Sequence, residues 1–204
     1  MSRSKTWERL DVKARNAILE ASLTPPKGWV RPGELLVWRW LPWLFSFGGA
    51  RPGEILEATG DDFLRVKTVD DEEVRYILLE GRAVIPRPIP IHPGLVQMGL
   101  LDMARAYGKS RPFFDGASAS ATADGILVKY RRKLKSMELI PDDVPIVSGM
   151  RNNFARELER HGENSDLIPF LLGRSVPPSE FDDGSGRLRA GSRALAKVPL
   201  PVFT

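Results

Sequence analysis

Two arginines have the type and setting that phosphate chemistry asks for. Arg51 lies in Phe47-Gly48-Gly49-Ala50-Arg51-Pro52-Gly53-Glu54, and Arg151, roughly 100 residues later, lies in Ser148-Gly149-Met150-Arg151-Asn152-Asn153-Phe154. A guanidinium offers a planar fork of N–H donors to the non-bridging oxygens of a phosphate. It stays charged throughout phosphoryl transfer, which lysine does less reliably. Arg51 follows a Gly-Gly turn and precedes Pro52, a residue suited to the first turn of a helix, so its head sits near a helix N-terminus. Glu54 is placed to orient it as an i,i+3 partner. The plainer alternative is an Arg–Glu surface pair, and this motif by itself does not choose between them. A nucleophile is harder to find. Ser148 and Ser179 have no histidine close in sequence to act as base. The chain has no cysteine and only His92 and His161, which excludes thiolate chemistry and argues against a metal site. No metal and no cofactor are expected.

Cations are gathered rather than abundant. The balance of 30 Lys plus Arg against 26 Asp plus Glu is mildly basic and speaks weakly for nucleic acid. Yet Lys129, Arg131, Arg132, Lys133 and Lys135 crowd into one short run, and Arg187, Arg189, Arg193 and Lys197 punctuate a C-terminal stretch with no acid after Asp183. The acids collect at Asp70-Asp71-Glu72-Glu73, which reads as a solvated hairpin turn. Such segregation is what a phosphate-binding face requires; a solvated helix face is the bland reading of the same run.

The elements that must position these residues follow from periodicity. Helices are predicted over Trp7–Leu23, about Gly33 to Phe47, Pro52 to Ala58, His92 to Tyr107, Thr122 to Met137, Gly149 to His161 and Ser165 to Leu172. Phe63–Val69 and Val74–Leu79 alternate as a hairpin, and Arg87-Pro88-Ile89-Pro90-Ile91 offers a third strand, held to an edge by its prolines. Arg111 to Asp115 reads as a short apolar plug. Trp38, Trp40 and Trp43 read as core, His92 as a turn residue and His161 as a helix-end cation. The apolar stretch from Leu35 to Phe47 is broken by Arg39, Pro42 and Ser46 and falls short of the ~20 residues of a membrane span. The N-terminus carries no signal peptide. The expectation is a mostly helical α+β domain over 1–175 with a small three-stranded antiparallel sheet. A Pro/Gly-rich basic tail, extended or partly disordered, is expected over 176–204. A cytoplasmic protein, nucleoid-associated if bound to DNA, is the default.

The order and separation of these motifs resemble the catalytic domain of tyrosine recombinases, the phage-integrase family. The carrying residues are the Arg51 segment with Asp61-Asp62-Phe63 after it, and the Arg151 segment followed by Leu171-Leu172-Gly173-Arg174-Ser175. The resemblance spans roughly Leu10 to Ser175. It implies two arginines clamping a scissile DNA phosphate while a tyrosine attacks it.

The departures from that pattern fall on the catalytic groups. No tyrosine follows Arg151; the last is Tyr130. Where the family has its nucleophile stands Ser179-Glu180-Phe181-Asp182-Asp183, and Phe181 lacks the oxygen. Ser148 replaces a histidine, Asn152 stands where a second is usual, and Arg174 follows the Leu-Gly in place of histidine or tryptophan. Gly81-Arg82 occupies the position of the general-acid lysine, and arginine holds its proton too tightly for that task near pH 7.

The resemblance therefore implies a degenerate recombinase, a pseudoenzyme that binds double-stranded DNA without cutting it. Arg51, Arg82, Arg151 and Arg174 would share one concave face, with the basic run of Lys129 to Lys135 beside them. Such a protein serves as an accessory or regulatory partner in DNA recombination or integration, or persists as a relic of a mobile element. The short lead before the domain leaves the family's grip on DNA half absent, so binding should be weak. The tail from Ser175 is the expected dock for another recombinase or a second copy of the chain. Two rivals stand beside this reading. One is a protein-interaction module that no longer binds DNA; the other is a recombinase subunit completed by a nucleophile in trans.

Overall fold

Asp11 starts the first helix, α1 (Val12–Ala21), by accepting the Ala14 N–H on its carboxylate at 2.6 Å. The computed structural model describes residues 10–79, 87–113, 123–140, 144–163, 166–174 and 185–203. Helix α2 (Pro32–Phe47) is apolar almost all round and runs through the core. Two of its tryptophans staple it to the end of α1: Trp38 Nε1 donates to Ala21 O and Thr24 O, and Trp43 Nε1 to Ser22 Oγ. Trp38, Trp40 and Trp43 are all buried, as their sequence predicts.

Gly48 and Gly49 then turn the chain into α3 (Pro52–Glu57), and a 3-10 turn at Asp61–Leu64 leads into the sheet. Strands β1 (Arg65–Val69), β2 (Glu72–Leu79) and β3 (Arg87–Pro90) form an antiparallel sheet in that order. Asp70 and Asp71 both take positive φ, 48° and 62°, the conformation of a two-residue hairpin loop. β3 is an edge strand carrying both prolines.

The predicted helix from His92 to Tyr107 is two helices, α4 (Pro93–Gln97) and α5 (Leu100–Tyr107). Gly99 breaks it at φ 92°, a conformation that glycine adopts without strain. Helix α6 (Ala123–Ser136) matches the sequence reading, whereas α7 (Ile146–Arg160) starts earlier than its predicted Gly149 and so takes Ser148 into its first turn. Short α8 (Leu167–Leu171) ends the expected domain, and Phe113 is buried edge-on against Phe63.

The C-terminal stretch differs most from expectation. Residues 185–203 are no loose tail: Ser185–Lys197 form α9, with Leu188, Gly191, Ala194 and Leu195 buried. Gly191 lies so close to the sheet that a Cβ there would stand 2.9 Å from Pro90 and 3.0 Å from Leu171. The sheet is thus covered on both faces. Ile77 and Ile89 face the helical core, while Pro90 lies under α9 and Val69, Val74 and Leu188 are buried outside the main cluster. Beyond α9, Phe203 packs edge-on against Trp43 and Leu200 crosses Gly94. Leu188, Leu195 and Val198 stand at helical spacing, but Gly191 and Ala194 between them and the surrounding arginines thin the apolar stripe.

Candidate functional site

The Gly48–Gly49 turn is where the two arginine motifs meet. Gly49 sits at φ 64°, and a Cβ on it would stand 2.8 Å from Leu171 O and 2.9 Å from the Phe154 ring. Only glycine allows the turn to press against α7 and α8 together. From α7, Arg151 Nε donates to Gly49 O at 3.0 Å, and Arg151 Nη2 donates to Leu172 O. From the N-cap of α3, Arg51 Nη2 donates to Gly173 O at 2.5 Å. Gly173 itself takes φ 63°, and Arg174 N–H closes back on Pro169 O. That left-handed ending terminates α8 and leaves the Leu172 and Gly173 carbonyls to the guanidiniums. Residues around 49, 151 and 173 are so drawn into one assembly.

Their settings differ. Arg151 is half-buried, and Arg51 and Arg174 are exposed. Arg51 is exposed, and its guanidinium donates to one backbone carbonyl, that of Gly173. Glu54 is buried and does not orient the guanidinium as its spacing suggests. Its carboxylate accepts the Arg51 backbone N–H at 2.7 Å, satisfying a helix-start donor. Ser148 and Asn152 are exposed one helical turn apart on α7, the helix that carries Arg151.

Asn153 escaped the sequence reading. It is buried, and its Nδ2 donates to Leu10 O at 3.0 Å, while Gly149 leaves room for Leu10, whose Cβ lies 2.5 Å from where a glycine Cβ would stand. The segment Gly149 to Asn153 therefore holds the start of α1 with one side and the Gly-Gly turn with the other. Arg82 and Phe181 lie outside the described residues, as does Ser179.

The basic run on α6 divides by face. Tyr130 and Leu134 turn into the core. Lys129 pairs with Glu34 and lies over the Trp29 ring at 5.4 Å, and Lys133 Nζ donates to Lys27 O at 3.1 Å. Arg132 is exposed; Arg131 and Lys135 are half-buried. The helix packs beside α3, whose N-cap is Arg51.

The cations of α9 do not form a separate face. Arg189 pairs with Asp70, Arg193 Nε reaches Glu72 at 2.9 Å, and Lys197 reaches Glu163 at 2.8 Å. The acidic hairpin turn and the basic C-terminal stretch, far apart in sequence, answer each other in space.

Tyr130 is no reserve nucleophile. It is buried, its hydroxyl has no hydrogen-bond partner, and burial pushes its pKa up, holding the phenol neutral. His92 is more than a turn residue: it caps α4 by accepting the Gly94 N–H on Nδ1 at 3.0 Å, and its Nε2 donates to Val198 O at 2.8 Å. Burial lowers its pKa, the two backbone carbonyls at Val198 and Leu195 opposing that effect. With both ring nitrogens engaged it fastens α9 to α4 and has no proton to trade. His161 ends α7 and is exposed, some 20 Å along the helix from Ser148 by the rise of an α-helix.

Among the described residues no group of three or more His, Cys, Asp or Glu side chains stands ready to hold a metal ion. Among them, too, no helix is long and apolar enough to cross a membrane. The chain matches no family model, no curated protein and no solved structure.

Proposed function

We propose that this protein binds double-stranded DNA through its phosphates, on a scaffold resembling that of tyrosine recombinases, and does not itself cut the strand. The observation that carries the reading is the meeting of Arg51 and Arg151 on the carbonyls of Leu172 and Gly173. Arg151 holds the turn, and Arg51, exposed at the start of α3, is the group free to grip an oxygen. Arg174, Asn152 and the α6 run lie on elements adjoining it and would extend the contact along a backbone.

The candidates for a nucleophile that the sequence offers within the described residues support the non-cutting reading. Tyr130 is buried and neutral, His161 lies at the other end of α7 from Ser148, and His92 has both ring nitrogens engaged. The protein would then work as an accessory or regulatory partner beside an active recombinase.

Fluorescence anisotropy on a labelled duplex tests the binding claim. Weak binding is expected, with log K falling by about 0.9 per tenfold salt for each phosphate neutralised. Arg51→Ala should weaken it about tenfold or more, one charge-assisted fork being lost. Unchanged affinity in that variant removes the reading. On nicked suicide DNA the chain should form no covalent adduct; an adduct mapped to Ser148 or Ser179 would reveal a recombinase with a different nucleophile.

A second reading, the protein-interaction module, is favoured by one observation. Arg189, Arg193, Lys197, Lys129 and Lys133 all spend their charge or donors within the chain. Absence of any DNA binding at low salt would select it.

A further inference from the structure

We propose that β1 is a docking margin for an extended segment of another protein, one that alternates acidic and apolar residues. The register settles which way the main chain of β1 faces. Ile91 N–H donates to Arg75 O, so the polar groups of Arg75 turn toward β3. In an antiparallel ladder Val66, its partner on the other side, must then turn its own N–H and C=O away from β2. Thr68, two residues on, does the same. β1 ends the sheet order, and among the described residues no strand lies beyond it. Val66 and Thr68 are both exposed, so a short ladder of donors and acceptors meets solvent there.

The two faces of β1 specify what pairs with it. Arg65 and Lys67 share the face of Val69, the side of the sheet that α9 covers. A strand added at this margin sets alternate residues beside them, where an acid is favourable and a base is not. Arg65 has Asp62 at 3.8 Å, an exposed pair of little strength that an acid directly across the strands would supplement. The residues in between, beside Val66 and Thr68, point to the opposite face. A cleft of about 210 Å³ opens at Val66 there, with Phe63, Leu64 and Leu101 in its wall. Arg75 and Arg105 also line it, and each has its own carboxylate, Glu73 and Asp102. Their charge is answered within the chain, so the cleft calls for an apolar guest rather than an anion.

Size selects the guest further. The cleft is smaller than the ~300–1,000 Å³ of a small-molecule pocket and suits one aliphatic side chain. Val66 is 47% exposed, and covering it adds apolar burial. Recognition by strand addition works in this way: main-chain bonds attach the segment and alternate side chains select it. A second copy of the chain is the poorer occupant. Pairing β1 with itself about a two-fold axis at its centre sets the two Lys67 ammoniums against each other.

Fluorescence anisotropy of a labelled peptide alternating Glu and Val, titrated with the full chain, tests the proposal. Saturable binding is expected, about tenfold tighter than that of a peptide alternating Lys and Val. Thr68→Pro removes an outward N–H while costing no bond inside the sheet, and should weaken binding about tenfold. Arg65→Glu leaves the ladder whole and should abolish the preference for the acidic peptide, a result readable even if Thr68→Pro loses its fold. In the complex the Val66 and Thr68 amides should exchange with solvent more slowly. No saturable binding, equal affinity for both peptides, or full affinity in Thr68→Pro overturns the proposal. Protection of the same amides by dimerisation without peptide would assign the margin to a second copy and overturn it as well. The margin shares no residue with the arginine assembly. Arg51→Ala should leave peptide binding unchanged and Thr68→Pro should leave DNA binding unchanged, so the two readings fail separately.

Discussion

Helices α6 and α9 carry similar charge and have opposite fates. Both place cations at close spacing around a few apolar residues, and by composition both suit a phosphate-binding face. α9 lies against the strands joined by the acidic turn, and Asp70 and Glu72 take Arg189 and Arg193. Its Gly191 presses on Pro90 and Leu171, and Leu188 and Leu195 are buried with it, so the helix completes the core. α6 meets a different neighbour. Tyr130 and Leu134 anchor it, two lysines lean on the Lys27–Glu34 stretch, and Arg132 remains in solvent beside the helix that Arg51 caps. Charge density along a chain therefore says little about availability; the location of the acids in space decides.

The comparison breaks most visibly at Leu195, which is fully buried in α9. Leu195→Ala should cost about 2–5 kcal/mol in a urea unfolding experiment, as core truncations do. Val128→Ala on the outer face of α6, 56% exposed, should stay within about 0.5 kcal/mol. Equal effects would mean that α9 is the appendage its composition suggests.

A smaller effect concerns pH. The folded pKa of His92 lies below its unfolded value of ~6.5, so the unfolded chain binds the extra proton more readily. Its contribution to stability is full above that value and is lost as pH falls below it. Lowering pH from about 7 to about 5 should therefore move the urea midpoint down, and hydrogen exchange should rise first around Val198. His92→Asn keeps an N-cap acceptor without the titration and should flatten that dependence.

The smallest effects separate the two sets of cations. Arg193→Ala and Lys197→Ala remove exposed ion pairs and should cost about 0–1 kcal/mol each, leaving the salt slope of DNA binding unchanged. Lys133→Ala with Lys135→Ala should flatten that slope by about 0.9 for each phosphate contact removed, with a comparably small loss of stability. A slope moved by the α9 changes instead would reverse the assignment.

What was legible in the sequence follows the reach of each signal. Rough alternation exposed the hairpin, and proline placed β3 at an edge, because both are local rules. The break at Gly99 was missed because the apolar pattern runs through it and only backbone geometry marks it. α9 was missed because glycine and alanine interrupt the stripe of Leu188 and Leu195, and Gly191 packs against a proline on another element. Around Arg51 the spacing of Glu54 was informative, but the carboxylate serves the helix start rather than the guanidinium. Gly173 reads as a helix stop, yet nothing in its neighbourhood announces that the freed carbonyls hold Arg51 and Arg151. Asn153 gave no signal at all, since its partner is a main-chain oxygen at Leu10.

The prolines of β3 also bear on how this chain avoids its own kind. Ile91 N–H points inward to Arg75 O, so by alternation the nitrogens of Pro88 and Pro90 point outward and carry no hydrogen. A strand from another molecule that approached this margin would find acceptors and no donors. Sheet growth by addition, the usual hazard of an open edge, is blocked there before any side chain is considered. β1, at the opposite margin, is short and begins with an arginine, a milder deterrent. With α9 in place or not, the outer margin of β3 offers a neighbouring strand no N–H donor at Pro88 or Pro90.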